Sequence, residues 1–278
     1  VRGLPAPRMV AAAAELAATL VEAAGVDRAT VRHAVAGVPG VVDRHTGRVW
    51  QALNIPALNG FPIASELQTA LGVPVTVEND IDLAALGENT HGTGAAAESF
   101  AFLSVGTGVG AGLVLHGHLH RGFSGAAGEL DTAFDAQAFA ANDPCAAAIL
   151  EYAAPHAAEL RTGDAAFTTE LVFDRARAGN PAATAVVDEV ARRITAYIAV
   201  LAAVADVELV ILGGGIGLNG DLLLHRVERR LRERLPYPPR LEVSALGDGA
   251  VLTGAAALGA SEAVEKVIRD RTKSASDG

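Results

Sequence analysis

Residues 100–122 read "FAFLSVGTGVGAGLVLHGHLHRG". Apolar residues flank the Gly-Thr-Gly at 106–108 on both sides, which predicts two antiparallel strands around a glycine turn, with a second hairpin closing at His116–His118. Upstream the pattern is different. "MVAAAAELAATLVEAAGV" (9–26) is apolar on all sides and predicts a largely buried helix ended by Gly25. "VRHAVAGVPG" (31–40) predicts a short strand and a Gly-Pro turn. "FPIASELQTALGVPVTVEND" (61–80) repeats the helix-then-strand order with Gly72 and Pro74 as punctuation. Downstream, residues 133–180 are Ala-rich and mostly helical with irregular periodicity. A long helix is expected over 181–206 with Pro181 in its first turn, then a buried strand in "VELVILGGG", a helix over 220–235, a strand in "RLEVSAL" and a last helix over 247–268. The polar tail 269–278 is expected to be disordered. The chain therefore reads as α/β with an antiparallel insertion, and no tandem repeat is visible.

Composition limits the function. The chain has 278 residues, half of them hydrophobic and only 19% charged, enough to bury a sizeable core. Twenty-two Lys plus Arg stand against 32 acids, and a formal charge of −10 repels phosphate backbones, so this chain is not expected to grip nucleic acid by itself. A single Cys145 excludes an internal disulfide and a cysteine-rich zinc site, which fits a reducing cytoplasm. No apolar run reaches membrane-span length and no signal-peptide pattern is present. Val at position 1 suggests a fragment or a processed form.

Several short stretches could carry chemistry. In "VPVTVENDIDLAALGE" (73–88), Asn79 and Asp80 fall where a strand hands over to a helix, so they could position a hydroxyl and remove its proton, hold a polyol, or cap the helix. Asp82 is expected in the exposed first turn, favoured by the helix dipole. Glycines after strands, at Gly106–Gly112 and Gly213–Gly217, let a phosphate or base approach the backbone; the alternative for Gly106 and Gly108 is a tight hairpin needing positive φ. "GGGIGLNG" (213–220) matches the dinucleotide fingerprint, but only one strand and one helix follow it, too few βα units for that fold. Glu129 in "GFSGAAGELDT" (122–132) reads alone as a loop or cap residue. His116, His118 and His120 alternate as zinc ligands on one strand face would, but Gly117 is expected to turn the chain and break that face.

Taken in order, "GVPGVVD", "VENDIDLAALGE", "SVGTGVGAGLVLHGHLHRGFSGAAGE", "LVILGGGIG" and "LGDGAVLTGAAAL" resemble the ROK family of sugar kinases and sugar-responsive repressors, over roughly residues 10–260. The resemblance implies an actin-like, ribonuclease-H-like fold of two α/β lobes, with sugar and nucleotide in the cleft between them. The smaller lobe would comprise 1–91 plus 249–278, incomplete at its N-terminus, and the larger 92–248. In the kinases of that family the aspartate of "END" takes the proton from the sugar hydroxyl, which implies Asp80 as the base. Asn79, Asp80, Glu129 and Gly37 would contact the sugar. Gly106, Thr107 and Gly108 match the second phosphate loop, and Gly213, Gly214 and Gly215 the adenosine loop, with ATP and Mg²⁺ as cofactors if the chain is a kinase.

Departures from the family pattern shape the expectation. The Asp-x-Gly-x-Thr strand that opens ROK kinases is not found. The "GExGH" run is "GELDTAF" here, with Asp131 for a glycine, Thr132 for the histidine and no cysteine motif after it, so no structural zinc and no metal site is expected. This looks like the zinc-less ROK regulators. The reading is then the effector-sensing and oligomerisation part of a cytoplasmic transcriptional regulator, binding a sugar or sugar phosphate, dimeric or tetrameric, reaching DNA through an N-terminal domain outside this sequence, with no membrane partner. The alternative is an ATP-dependent sugar kinase of the glucokinase type, truncated at its N-terminus.

Overall fold

A computed structural model of the chain describes residues 3–161 and 166–276. It contains two compact units, Val1–Gly87 with Arg121–Ala127 and Val251–Gly278, and Glu88–His120 with Gly128–Ala250. The segment 121–127 groups with the first unit, although the sequence reading kept it inside the larger lobe.

The first unit is built on a parallel pair of strands, β1 (Ala34–Val38) and β4 (Val75–Asn79), whose register sets Gly37 opposite Glu78 and Val38 opposite Asn79. A short antiparallel ribbon, β2 (Val41–Val42) with β3 (Val49–Trp50), lies between them in sequence. Helix α1 (Ala6–Ala23) packs against α2 (Ile63–Leu71), which stops at Gly72 in the left-handed conformation, φ 72°. Met9, Val10, Val38, Val42, Val49, Leu58, Ile63 and Leu67 form the core. The expectation that α1 is largely buried is not met: only Ala6, Met9 and Val10 are buried, and Leu16 and Leu20 are each 59% exposed. An alanine-rich helix offers little area on its remaining faces, so one turn suffices to anchor it. Helix α3 (Asp80–His91) follows β4 directly, and a Cβ at Gly254 of the C-terminal helix (Ala250–Ser276) would lie 1.8 Å from the Leu83 carbonyl oxygen, so glycine there permits close helix contact. That helix runs to Ser276, through most of the tail expected to be disordered; the stretch from Ser261 onward has neither Gly nor Pro before its end to break it, and residues 277–278 lie outside the described residues.

The second unit carries a five-stranded mixed sheet in the order β7-β6-β5-β8-β9. Strands β5 (Phe100–Val105) and β6 (Val109–Leu115) pair antiparallel around Gly106–Gly108, as the opening stretch predicts. Leu115 pairs with His118 of β7 (His118–Leu119) across His116 and Gly117, with φ 52° and 75°, the two-residue turn that follows the twist of the strands. Helices α4 (Ala136–Asn142), α5 (Ala146–Ala153), α6 (Ala157–Leu160) and α7 (Thr169–Arg177) fill the Ala-rich region. The long helix α8 (Pro181–Ala205) packs on α7 and α10 (Gly220–Arg234). Strand β8 (Leu209–Gly213) is wholly buried and parallel to both β5 and β9 (Arg240–Val243); the short helix α9 (Gly214–Gly217) leaves its C-terminal end. Antiparallel β6 and β7 separate this sheet from a dinucleotide-binding fold.

Candidate functional site

The helix cap is Asn79, not Asp80. The Asn79 Oδ1 accepts the backbone N–H of Ile81 at 2.7 Å and of Asp82 at 3.0 Å, and its Nδ2 donates to the Gly40 carbonyl at 3.0 Å. Its oxygen is thus committed, and one amide hydrogen is left for any further contact. Capping by the neighbour spares Asp80, a half-buried residue on the first turn of α3. Burial pushes the Asp80 carboxyl above its ordinary value, opposed by the backbone N–H groups of Ile81 and of Asp80 itself. Gly37 belongs to the same constellation: a Cβ there would stand 3.8 Å from the Asp80 Cα and 3.0 Å from Leu83 Cδ1, so a side chain would press β1 away from α3. Gly37, Asn79 and Asp80 are therefore brought together within one unit.

Asp82 departs from expectation. It is 3% exposed rather than on a solvated turn, because α3 presents Asp82, Leu83, Ala84 and Ala85 as one run of buried residues. Just before the cap, Glu78 is buried and takes a charge-assisted bond at 2.5 Å from Arg121 Nε, within the same unit. Nothing in the sequence signalled that pair, since its partners lie 43 residues apart.

In the second unit the two glycine clusters meet. A Cβ on Gly106 would stand 3.6 Å from the Gly215 backbone N, an ordinary contact. Neither Gly106 nor Gly108 has a positive φ, so the tight-turn explanation for these glycines fails. Gly215 has nothing within 4 Å of such a Cβ, and Thr107 is exposed. Gly213 and Gly214 differ: a Cβ at Gly213 would enter the Phe102 ring, and Gly214 takes φ 75° beside the Val105 carbonyl. Two of the clustered glycines are thus demanded by packing, while at Gly106 and Gly215 internal crowding does not forbid a side chain. This suits a phosphate-bearing group approaching bare backbone there.

Glu129 belongs to the second unit, is half-buried, and follows Gly128, whose φ of 90° and approach to the Ala111 carbonyl leave no room for a Cβ. The Gly128 carbonyl accepts the Ala111 N–H at 3.1 Å, tying this loop to β6. Thr132 spends its hydroxyl on the Glu129 carbonyl at 2.7 Å, and Asp131 Oδ1 is buried without a hydrogen-bond partner among the described residues. No group of three or more His, Cys, Asp or Glu among the described residues is arranged to hold a metal. A second residue that sequence reading missed is Glu88, fully buried in the second unit. It accepts from Ser244 Oγ at 2.5 Å, Leu246 N at 3.2 Å and Thr93 N at 2.7 Å. No helix among the described residues is long and apolar enough to cross a membrane.

Comparisons with known proteins agree with this architecture. The glucokinase of Halalkalibacterium halodurans is 29% identical over 78% of this chain and 73% of its own length. The xylose repressor of Caldicellulosiruptor bescii is 28% identical over 80% of this chain, which spans only 61% of the repressor. The crystal structure of a ROK family glucokinase from Streptomyces griseus in complex with glucose and AMPPNP superposes with a TM-score of 0.73 at 28% identity, covering 88% of this chain and 86% of that one. The fold is accordingly the actin-like, two-lobed α/β fold of these sugar kinases. The ROK family profile matches residues 5–262, nearly the whole sequence, and the chain belongs to the ROK family.

Proposed function

We propose that this chain is the sugar- and nucleotide-binding body of an ATP-dependent sugar kinase, with Asp80 as the general base. The observation that carries the reading is the Asp80 carboxyl. It lies at the start of α3, relieved of capping by Asn79, with a pKa raised by burial toward the range in which a carboxylate accepts a hydroxyl proton effectively. As the sugar oxygen forms its bond to phosphorus, Asp80 takes the hydroxyl proton. Glu129 and the remaining Asn79 amide hydrogen hold neighbouring hydroxyls. Backbone N–H groups of Thr107, Gly108 and Gly215 receive phosphate oxygens, for which the open space at Gly106 and Gly215 is suited, while the Gly106 N–H is spent on the Gly108 carbonyl at 3.0 Å. ATP with Mg²⁺, when bound, supplies the transferred phosphoryl group and offsets its charge.

A second reading has its own support. Asp131 and Thr132 stand where the resemblance expects Gly and His, with the Thr132 hydroxyl turned onto backbone, and relatives include the xylose repressor. In that reading the site senses a sugar without reacting, as the effector body of a transcriptional regulator, and Asp80 merely holds a hydroxyl. The test is ADP release on a panel of hexoses with ATP and Mg²⁺, run beside calorimetry. Turnover lost by more than about a thousandfold in Asp80→Asn, a general-base effect within the usual span, supports the kinase. Sugar binding that Asp80→Asn weakens, without turnover in the wild type, overturns it in favour of the sensor.

A further inference from the structure

The first unit holds a groove of about 530 Å³ lined by Arg28, Arg32 and Lys266 and by the chain turning from α2 into β4 at Gly72–Pro74. No carboxylate among the described residues lines it. That is unusual in a chain of net charge −10 with only two lysines. Several arginines elsewhere face acids: Arg121 faces Glu78, Arg177 faces Asp221, Arg192 and Arg193 share Glu189, and Arg226 faces Asp188. None of the ion pairs among the described residues includes Arg28, Arg32 or Lys266. Like charges gathered without a counter-charge repel one another, and an anion seated among them relieves that repulsion. One of the three is already oriented. Arg28 Nη2 donates to the Leu71 carbonyl at 3.2 Å, the last residue of α2, which holds the guanidinium at the groove wall with its other N–H groups uncommitted to that bond.

We propose that this groove binds a phosphate dianion, either inorganic phosphate or the phosphate of a small ester, at a site separate from Asp80 and from the glycine loops. The Arg28 guanidinium donates two parallel N–H bonds to phosphate oxygens, while Arg32 and Lys266, which also line the groove, add positive charge. The volume suits a small phosphorylated molecule. The net negative charge of the chain disfavours a long polyanion at the same place. The proposal is independent of whether the protein is a kinase or a sensor.

The test is calorimetric titration of the whole protein with inorganic phosphate at constant ionic strength, beside the Arg32→Ala/Lys266→Ala double variant. Both side chains are exposed, so the variant keeps its fold, which an unchanged melting temperature without phosphate verifies. Saturable binding weakened about tenfold or more in the double variant, and unchanged in Arg232→Ala, is the expected result. Glucose 6-phosphate and a short DNA duplex, titrated in parallel, distinguish a free ester from a nucleic-acid backbone. Absence of saturation by phosphate, equal affinity in the double variant, or binding of the duplex alone each overturns the proposal. Phosphate captured only by the glycine loops would leave the double variant unaffected and is recognised by that.

Discussion

Glu88→Ala removes the acceptor for three donors at once. The carboxylate is fully buried, and Ser244 Oγ, Leu246 N and Thr93 N all point at it, which joins the end of α3 to the segment after β9 within one unit. Hydrogen bonds to a charged acceptor contribute about 1.5–3 kcal/mol each, so the gross loss is roughly 5–9 kcal/mol. Two terms offset it. The alanine variant no longer buries a carboxylate, and Thr93 and Leu246 are only partly buried, so water reaches two of the three orphaned donors. A net cost of about 3–4 kcal/mol remains, close to what stranding the partners of a buried charge costs elsewhere. At roughly 2–3 °C per kcal/mol for a chain of this size, the melting temperature falls by about 8 °C. Glu88→Gln preserves an oxygen for Ser244 and Leu246 and sets an amide N–H against the Thr93 N–H. That single mismatch costs about 1–2 kcal/mol, or roughly 4 °C. Differential scanning calorimetry of the three proteins measures both. A Glu88→Ala transition within about 2 °C of wild type, or a Gln variant as unstable as the Ala variant, refutes the account based on acceptor geometry.

Other variants probe the remaining features. Because burial raises the Asp80 pKa, the folded chain binds that proton more tightly than the unfolded chain, and stability falls as pH rises from the unperturbed 3.8 through the folded value. Asp80→Asn therefore melts above wild type at neutral pH and level with it below 3.8, as paired thermal scans across pH register; a variant less stable at neutral pH contradicts the sign. Arg121→Ala leaves buried Glu78 without its cation and costs about 3 kcal/mol by urea denaturation, part of which the Arg121→Ala/Glu78→Gln double variant recovers. Burial first, then the neighbouring Asp143 carboxylate, pushes the Cys145 thiol well up. Native protein should give no colour with Ellman's reagent at neutral pH and one equivalent of thiol once denatured; rapid native labelling shows the thiol accessible.

Much of this architecture was legible because it rests on local signals. Periodicity and Gly or Pro punctuation sufficed for α2, α8 and α10, and the hairpin at His116–His118 was marked by Gly117, whereas the positive φ expected at Gly106 and Gly108 is not found. The exposure of α1 was not legible: an all-round alanine pattern reads as buried, yet alanine is small enough to face water at little cost. Asp82 misled for the opposite reason, since its place on a first turn says nothing about what packs over that turn. Motif residues on one strand-to-helix junction, Asn79 and Asp80, could be found from sequence alone, though the division of labour between cap and free carboxylate needed coordinates. The Glu78–Arg121 and Glu88–Ser244 pairs join residues 43 and 156 positions apart, and no pattern in a single sequence encodes such distances.

The short excursion at Arg121–Ala127 has a consequence for synthesis and for dissection of the molecule. With its constituents drawn from both ends and from this seven-residue loan out of the middle, the first unit remains unfinished until Val251 and its successors leave the ribosome, whereas the second has every part it needs by Ala250. The order of maturation is thereby imposed by connectivity, and no single cut frees the first unit from the second, because the second lies between its pieces.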